Sequence, residues 1–221
     1  MEQRTALIVG ATGLVGSALL GQLLESADYS RVITLVRRPT GKGHRKLVEM
    51  VVNFDRLGSY DAFQGVDDVY CCLGTTIKKA GSQEAFRRVD FAYPQKTALE
   101  AKRAGCTRFL IVTAMGADPN SGIFYNRVKG EVEQALRGVG LPELHIFRPS
   151  LLLGQRAERR VGEAIASVIS RGVMWAMVGP LKKYRPVAGA AVARAMVRTA
   201  LSGAVPGAHL YLNDQIIDLG K

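Results

Sequence analysis

The chain has 221 residues, enough to bury a hydrophobic core without help from disulfides or metal ions. Hydrophobic residues make up 48% of the sequence and charged residues 22%, which is typical of a globular protein and excludes disordered, collagen-like and coiled-coil chains. The net charge of +11 means that an anionic partner must be considered.

The excess positive charge is scattered in short groups that apolar segments separate. Since no nucleic-acid-binding module accompanies these groups, we interpret most of them as solvated faces and expect no specific nucleic-acid partner. The sequence contains three cysteines, two of them adjacent, and no cysteine or histidine cluster with metal-ligand spacing. We therefore expect no metal site and a reducing, cytoplasmic location.

Residues 5–24 carry no charge, so their possible role as a membrane span has to be weighed. This stretch contains four glycines together with hydroxyl and amide side chains, which are poorly suited to a lipid bilayer. An apolar run at residues 6–9 is followed by a glycine turn and by leucines and valines at helical spacing. The pattern predicts a buried strand, a turn and a helix, and we expect no membrane association.

The same alternation continues along the chain. The pattern predicts strands over residues 31–36, 47–54, 69–73, 109–112, 144–147 and 209–212, and helices over residues 90–104, 125–139, 161–170 and 187–201. Strands that alternate with helices are typical of a parallel sheet covered on both faces. We expect residues 1–221 to form one Rossmann-like α/β domain with a doubly wound parallel sheet, whose C-terminal part forms the substrate pocket.

Three glycines lie between the first predicted strand and the first predicted helix. Gly10, Gly13 and Gly16 have the spacing G-x-x-G-x-x-G. Glycine permits a tight turn, brings backbone N–H groups close to a pyrophosphate and lets the helix pack against the strand. The N-terminus of the helix then faces the anion with its unpaired donors. This arrangement predicts a dinucleotide-binding site.

The end of the second strand indicates which dinucleotide is bound. An NAD-selective site has an acidic residue here, whereas this chain has Arg37 and Arg38, whose guanidinium groups suit a 2′-phosphate. We therefore expect NADP(H). Asp55 either accepts a hydrogen bond from the adenine amino group or serves as a turn residue. Leu73 and Gly74 follow the fourth strand, where the cofactor would cross the sheet.

A tyrosine and a lysine lie four residues apart on a predicted helix. Tyr125 and Lys129 form a Y-x-x-x-K pair on one helix face. Reduction of a carbonyl requires a hydride and a proton, and a tyrosine supplies the proton when a nearby ammonium stabilises its phenolate. The pair predicts a reductase site with Tyr125 as proton donor.

The glycine turn GATGLVG and the Tyr125/Lys129 pair resemble those of atypical short-chain dehydrogenases/reductases. The segments CCLGTT (71–76), VKGEVE (128–133), FRPSLLL (147–153), residues 156–163 and the closing DLGK are similar to the Tat-interacting-protein group of NADPH-binding oxidoreductases. The resemblance implies catalytic roles for Tyr125 and Lys129. It implies cofactor contacts at Thr12, Gly13, Leu14, Val15, Arg37, Arg38, Leu73, Gly74, Tyr125, Lys129, Leu152 and Arg160.

The chain departs from the broader family after the fifth strand. The family usually has a serine there that polarises the substrate carbonyl, but this chain has Thr113 followed by Ala114. Thr113 would replace the serine only if its hydroxyl points into the pocket. Without that donor, about 2–4 kcal/mol of oxyanion stabilisation would be missing.

Two functions stay open at this point. The first is an NADPH-dependent reductase whose small-molecule substrate is an aldehyde or a ketone. The second is a binding protein in which NADPH stabilises a surface for a protein partner. Met174, Trp175 and Met177 either line a hydrophobic substrate pocket or pack in the core.

Overall fold

The structure, a computed structural model, describes residues 3–153 and 183–221. The predicted helix over residues 161–170 lies outside the described residues, as do Arg160 and the group Met174, Trp175 and Met177.

The first half of the chain alternates strands and helices. Its elements are β1 (Arg4–Val9), α1 (Leu14–Glu25), β2 (Tyr29–Val36), β3 (Leu47–Val51), a 3-10 turn (Phe54–Ser59), β4 (Asp68–Cys71), α2 (Ile77–Ala80), α3 (Gln83–Arg87), a π-helical turn (Arg88–Ala92), α4 (Tyr93–Arg103) and β5 (Arg108–Val112). The strands β4 and β5 are buried along their whole length, as expected for strands that helices cover on both faces.

The second half continues the pattern and adds a short second sheet. Its elements are α5 (Phe124–Val139), β6 (Glu143–Arg148), β7 (Leu152–Leu153), β8 (Val187–Ala188), α6 (Gly189–Leu201), β9 (Gly207–Leu212) and α7 (Asn213–Leu219). The strands β7 and β8 pair with each other in parallel.

The main sheet of the described chain has seven strands in the order β3-β2-β1-β4-β5-β6-β9, and every pairing is parallel. The strand order reverses at β1, which lies between β2 and β4. Parallel sheets of this kind bind ligands in the crevice at the carboxyl ends of the strands next to such a reversal. The predicted doubly wound Rossmann-like fold is therefore confirmed.

Alternating strand residues contribute to two hydrophobic cores, one on each face of the sheet. Leu7 and Val9 pack with α4 and α5, whereas Ala6 and Ile8 pack with α1 and α6. The helices α1 and α6 thus cover one face and α4 and α5 the other. Both flanks of the crevice are fixed by these packed layers.

Several predicted boundaries differ from the structure, and three of them have consequences for the cleft or the second sheet. The third strand ends at Val51 rather than at residue 54, because Asn53 accepts the backbone N–H of Asp55 and starts the 3-10 turn. The fourth strand, which was predicted to reach residue 73, ends at Cys71. The helix predicted from residue 187 begins at Gly189, because Val187 and Ala188 pair with β7.

Candidate functional site

A cleft of about 960 Å³ opens at the carboxyl ends of β1, β2 and β4. The glycine turn forms its floor, and the segment from α2 to the start of α4 forms its far wall. The described lining residues are Gly10, Ala11, Thr12, Gly13, Leu35, Val36, Arg37, Arg38, Pro39, Thr40, Phe54, Cys72, Leu73, Gly74, Thr75, Lys79, Ala80, Ala85, Arg88, Val89 and Tyr93. The cleft thus lies at the reversal of strand order where a dinucleotide is expected.

The glycine turn permits contacts that a side chain would prevent. Gly10 has φ +85°, and a Cβ on it would lie 2.5 Å from the carbonyl carbon of Cys72. A Cβ on Gly16 would lie 2.2 Å from the carbonyl oxygen of Gly10. In the described structure no side chain caps α1 at Gly13. The turn and the first N–H groups of α1 are therefore suited to approach a phosphate closely.

Leu14 and Val15, at the start of α1, are not among the described residues that line the cleft. The side chain of Val15 is buried in the core between α1 and the sheet, and that of Leu14 lies where a Cβ on Gly189 would collide with it. The predicted cofactor contacts at Leu14 and Val15 would therefore involve their backbone. Leu152, in β7, packs at the edge of the same core.

The cleft has a strongly positive lining. Arg37, Arg38, Lys79 and Arg88 border it, and none of its described lining residues is acidic. Arg37 and Arg38 are exposed directly after β2, where they were predicted. A ligand carrying several negative charges fits this lining, because it would receive forked guanidinium donors without facing a carboxylate.

The far end of the cleft is aromatic. Phe54 and Tyr93 both line it, and their ring centroids lie 5.2 Å apart. Asp55 is not among the described lining residues of the cleft, and it borders a separate groove together with Lys96. Burial and the nearby Asp55 raise the pKa of Tyr93. A flat ring such as adenine is suited to this aromatic wall.

The predicted catalytic pair lies on α5, and neither Tyr125 nor Lys129 is among the described residues that line the cleft. Lys129 is 5% exposed, and its Nζ forms an ion pair with Asp90 Oδ1 at 2.7 Å. Burial disfavours the ammonium, but Asp90 and Tyr125 beside it outweigh that effect and raise the pKa of Lys129. Tyr125 is partly buried, with its ring 5.7 Å from that of Phe86. The structure therefore brings Tyr125 and Lys129 together and adds Asp90 to them.

Asp90 also contacts the loop after β4. Its Oδ2 accepts the backbone N–H of Thr75 at 2.9 Å, next to Leu73 and Gly74 in the cleft lining. Sequence reasoning missed Asp90, since the residue has no motif of its own. Its position between Val89 and Phe91, at the first residue of a predicted helix, is the signal that could have suggested a buried carboxylate.

Thr113 does not point its hydroxyl proton at an open pocket. Its Oγ1 donates to Glu133 Oε1 at 2.7 Å, and Glu133 accepts two further bonds from Arg148 at 2.9 and 2.6 Å. All three side chains are largely withdrawn from solvent. The hydroxyl that would replace the usual serine is thus used within the protein. Glu133 was also missed, although it lies four residues after Lys129.

The cysteines do not form a reactive centre. Burial raises the pKa of the Cys71 thiol to about 12. All three cysteines lie within the described residues and are free. In the described chain, no group of three or more histidine, cysteine or acidic side chains is arranged to hold a metal ion.

Sequence comparison identifies relatives that span the whole chain. A family model described as NAD(P)H-binding matches residues 10–200. Protein HTATIP2 of Rattus norvegicus is 36% identical over 225 residues, which cover 100% of this chain and 91% of the relative. Protein FMP52, mitochondrial, of Eremothecium gossypii is 34% identical over 220 residues, which cover 98% and 97%.

Structural comparison supports the fold. A short-chain dehydrogenase/reductase family oxidoreductase from Burkholderia thailandensis superposes with a TM-score of 0.70 at 19% identity, covering 99% of this chain and 94% of the other. MoeE5 in complex with UDP-glucuronic acid and NAD superposes with a TM-score of 0.71 at 18% identity, covering 93% and 75%.

The expected cytoplasmic location is wrong. Five fungal relatives at 30–34% identity are named mitochondrial. The expectation came from the free cysteines, and unpaired thiols indicate a reducing environment without distinguishing one reducing compartment from another. None of the described helices has the length and apolar character needed to cross a membrane.

Proposed function

Because the chain belongs to the NAD(P)H-binding family, we propose that it is an NADP(H)-dependent oxidoreductase that reduces the carbonyl group of a small aldehyde or ketone. The observation that supports this most strongly is the cleft itself. A glycine turn at the reversal of strand order meets four cationic side chains there, and no described lining residue is acidic.

The residues present fit an NADP(H) molecule. Its pyrophosphate would accept from backbone N–H groups of the glycine turn, and its 2′-phosphate would lie between Arg37 and Arg38. The adenine would lie against Phe54 beside Asp55, and the nicotinamide end near Leu73 and Gly74. The full proposed set is Gly10, Thr12, Gly13, Leu14, Val15, Gly16, Arg37, Arg38, Asp55, Leu73, Gly74, Tyr125, Lys129, Leu152 and Arg160.

The chemistry follows from the pair on α5. An NADPH molecule held in the cleft would supply the hydride that the carbonyl carbon needs. The Tyr125 hydroxyl gives its proton to the carbonyl oxygen, so that an alcohol forms and a phenolate is left on Tyr125. The ammonium of Lys129 stabilises that phenolate. Tyr125 regains a proton from solvent before the next turnover.

In the proposed mechanism, Thr113 provides the hydroxyl at the position where the broader family usually has a serine. Its proton is donated to Glu133, so polarising a substrate carbonyl would require this bond to break or turn. The substrate pocket is proposed to lie in the C-terminal part of the chain, which follows β6.

One observation favours a second function, a protein-interaction module that binds NADPH with little catalysis. Ala114 has no hydroxyl, and the hydroxyl of Thr113 is committed to Glu133. Under this alternative, NADPH would bind tightly and change the affinity for a protein partner, but would not be oxidised by carbonyl compounds.

Turnover of NADPH with a panel of aldehydes and ketones, followed by its absorbance, tests the proposal. We expect Tyr125→Phe to lower kcat by about 100-fold or more, because the general acid is lost. Tyr60→Phe is the matched control, because Tyr60 is partly exposed and lies outside both the cleft lining and the C-terminal part of the chain. Activity of Tyr125→Phe within a few fold of wild type would exclude the assigned mechanism. Tight NADPH binding without any turnover would favour the interaction module.

A further inference from the structure

We infer that Glu49 is a positioning residue that holds the loop carrying Arg37 and Arg38 at the cleft and thereby strengthens the preference for NADP(H). The inference rests on the proposed function, because it gives Glu49 a part in recognition of the 2′-phosphate through the two arginines. Glu49 lies on β3 and is not among the described residues that line the cleft. It would therefore act through the loop rather than on the cofactor.

The loop that carries the two arginines joins two parallel strands without a helix. It spans residues 37–46, between the end of β2 and the start of β3, and the described chain has no helix there. Crossovers between parallel strands usually contain a helix, whose internal hydrogen bonds keep the backbone in place. The side chains of Arg37 and Arg38 are exposed, so core packing does not hold them. Their position depends on how the backbone around them is fixed.

Glu49 fixes this backbone at Thr40 through both of its carboxylate oxygens. Oε1 accepts the backbone N–H of Thr40 at 2.8 Å, and Oε2 accepts the hydroxyl of the same residue. Two charge-assisted hydrogen bonds from one residue to one carboxylate define both the distance and the orientation of that residue. Thr40 itself lines the cleft together with Arg37 and Arg38. The carboxylate thus fixes the wall of the cleft two residues after Arg38.

The two arginines lie between two fixed points of the backbone. Before them, Val36 ends β2, and its carbonyl oxygen accepts at 2.9 Å the first backbone N–H after β3. After them, Pro39 disfavours the helical conformation at Arg38, and Thr40 is bound to Glu49. A loop that is already fixed loses less conformational freedom when a ligand binds. The arginines are therefore held at the cleft before a phosphate arrives.

Two simpler roles for Glu49 make different predictions. If only its negative charge acted on the anionic cofactor, removing the charge would tighten NADPH binding. If Glu49 merely supported the fold, its loss would weaken the binding of NADPH and NADH alike. A positioning role predicts a loss for NADPH alone, because NADH lacks the 2′-phosphate. It also predicts that glutamine can replace Glu49, since an amide accepts the Thr40 N–H and donates to the hydroxyl oxygen.

Equilibrium titrations of Glu49→Ala and Glu49→Gln with NADPH and with NADH, in the full chain, test the inference. The fluorescence of the bound nucleotide gives both Kd values. We expect Glu49→Ala to raise the Kd for NADPH by about fivefold to tenfold, because the phosphate contacts are no longer preorganised. Its Kd for NADH should change by less than about twofold. Glu49→Gln should stay within about twofold of wild type for both nucleotides.

A background without the two arginines shows whether Glu49 acts through them. Adding Glu49→Ala to Arg37→Ala/Arg38→Ala should change the Kd for NADPH by less than about twofold, because the groups that Glu49 positions are already gone. Glu131→Ala is the matched control, because Glu131 is also partly buried and pairs with Arg87 at 2.6 Å. Neither member of that pair is a described lining residue of the cleft, so we expect wild-type Kd values.

The outcomes separate the inference from the proposed function. A wild-type protein that binds neither nucleotide, or both equally, overturns the proposed preference for NADP(H) and the inference with it. Wild-type NADPH affinity in Arg37→Ala/Arg38→Ala does the same. Four results overturn the inference alone: unchanged or tighter NADPH binding in Glu49→Ala, equal losses for the two nucleotides, a Glu49→Gln variant as weak as Glu49→Ala, or losses that multiply in the background without the arginines.

Glu49→Asp keeps the inference testable if Glu49→Ala does not fold. This variant retains the negative charge but shortens the side chain, so that the carboxylate no longer reaches Thr40 in the same way. A loss of affinity for NADPH alone supports the inference, and any other result overturns it.

Discussion

At the scale of single residues, the glycines of the turn show how a missing side chain determines structure. Gly16 lies in the first turns of α1, where a Cβ would lie 2.2 Å from the Gly10 carbonyl oxygen. This contact lets the helix approach β1 closely. Gly21 lies in the same helix, and a Cβ there would meet nothing within 4 Å.

The two glycines therefore predict opposite effects of alanine. Gly16→Ala should destabilise the fold by about 2–4 kcal/mol, because the helix must move away from the turn. Gly21→Ala should stabilise it by about 0.5–1 kcal/mol, because alanine favours the helix. Denaturant unfolding of both variants measures the two effects. Equal effects of the two substitutions would contradict the close packing at Gly16.

The sequence predicted the glycine turn because its constraint is local: a tight turn and a close helix require glycines at fixed spacing. The pairing of Asp90 with Lys129 was not predictable in this way. The two residues are 39 positions apart, and their contact depends on the π-helical turn and on the packing of two helices. The pairing of Glu133 with Arg148 was not predictable for the same reason.

At the scale of secondary-structure elements, the amino ends of the strands are joined by buried charges. Arg108 at the start of β5 pairs with Asp68 of β4 at 2.8 Å and with Glu143 of β6 at 2.6 Å. His145, also on β6, lies 3.4 Å from Glu143 and 3.1 Å from the Tyr211 hydroxyl of β9. This network is at the opposite end of the sheet from the cleft. It ties neighbouring strands together without occupying the site.

The histidine in this network predicts a pH dependence of stability. Burial, with a smaller effect of His209, lowers the pKa of His145 although Glu143 opposes the change. In the unfolded chain His145 becomes protonated below about pH 6.5. In the folded protein it becomes protonated only at a lower pH, because its pKa is lowered. The stabilising contribution of the neutral His145 is present above about pH 6.5 and is lost as the pH falls.

His145→Gln tests this prediction. At about pH 7.5 we expect the variant to be less stable by about 1–2 kcal/mol, because native hydrogen bonds are weakened. Between about pH 6.5 and 5.5 the difference in free energy of unfolding between wild type and variant should decrease by up to about 1.4 kcal/mol per pH unit. Gln64→Asn, at an exposed turn position, is the control and should differ from wild type by the same amount at every pH, because no titratable group is changed. A pH-independent stability difference for His145→Gln would contradict the lowered pKa of His145.

The elements themselves were largely predictable, because buried parallel strands are continuous apolar runs that glycines and prolines interrupt. The helices α2, α3 and α7 and the β7–β8 pair were not predicted. The strands β7 and β8 have two residues each, and their pairing links positions 152 and 187, so no local pattern indicates it.

At the scale of the whole molecule, the reversal of strand order at β1 brings distant segments to one cleft. The glycine turn, the Arg37-Arg38 pair and the loop after β4 meet there because parallel strands end on the same edge. The relatives confirm the family that the sequence resembles. The proposed preference for NADP(H) over NAD(H) is based on Arg37 and Arg38, which are exposed at the cleft.

An equilibrium titration of the wild-type protein with NADPH and with NADH measures this preference. We expect NADPH to bind at least about tenfold more tightly than NADH. The variant Arg37→Ala/Arg38→Ala should weaken NADPH binding and leave NADH binding unchanged, while Arg45→Ala, at an exposed loop position, should behave as wild type. Equal affinities of the wild-type protein for the two nucleotides, or binding of neither, would contradict the account.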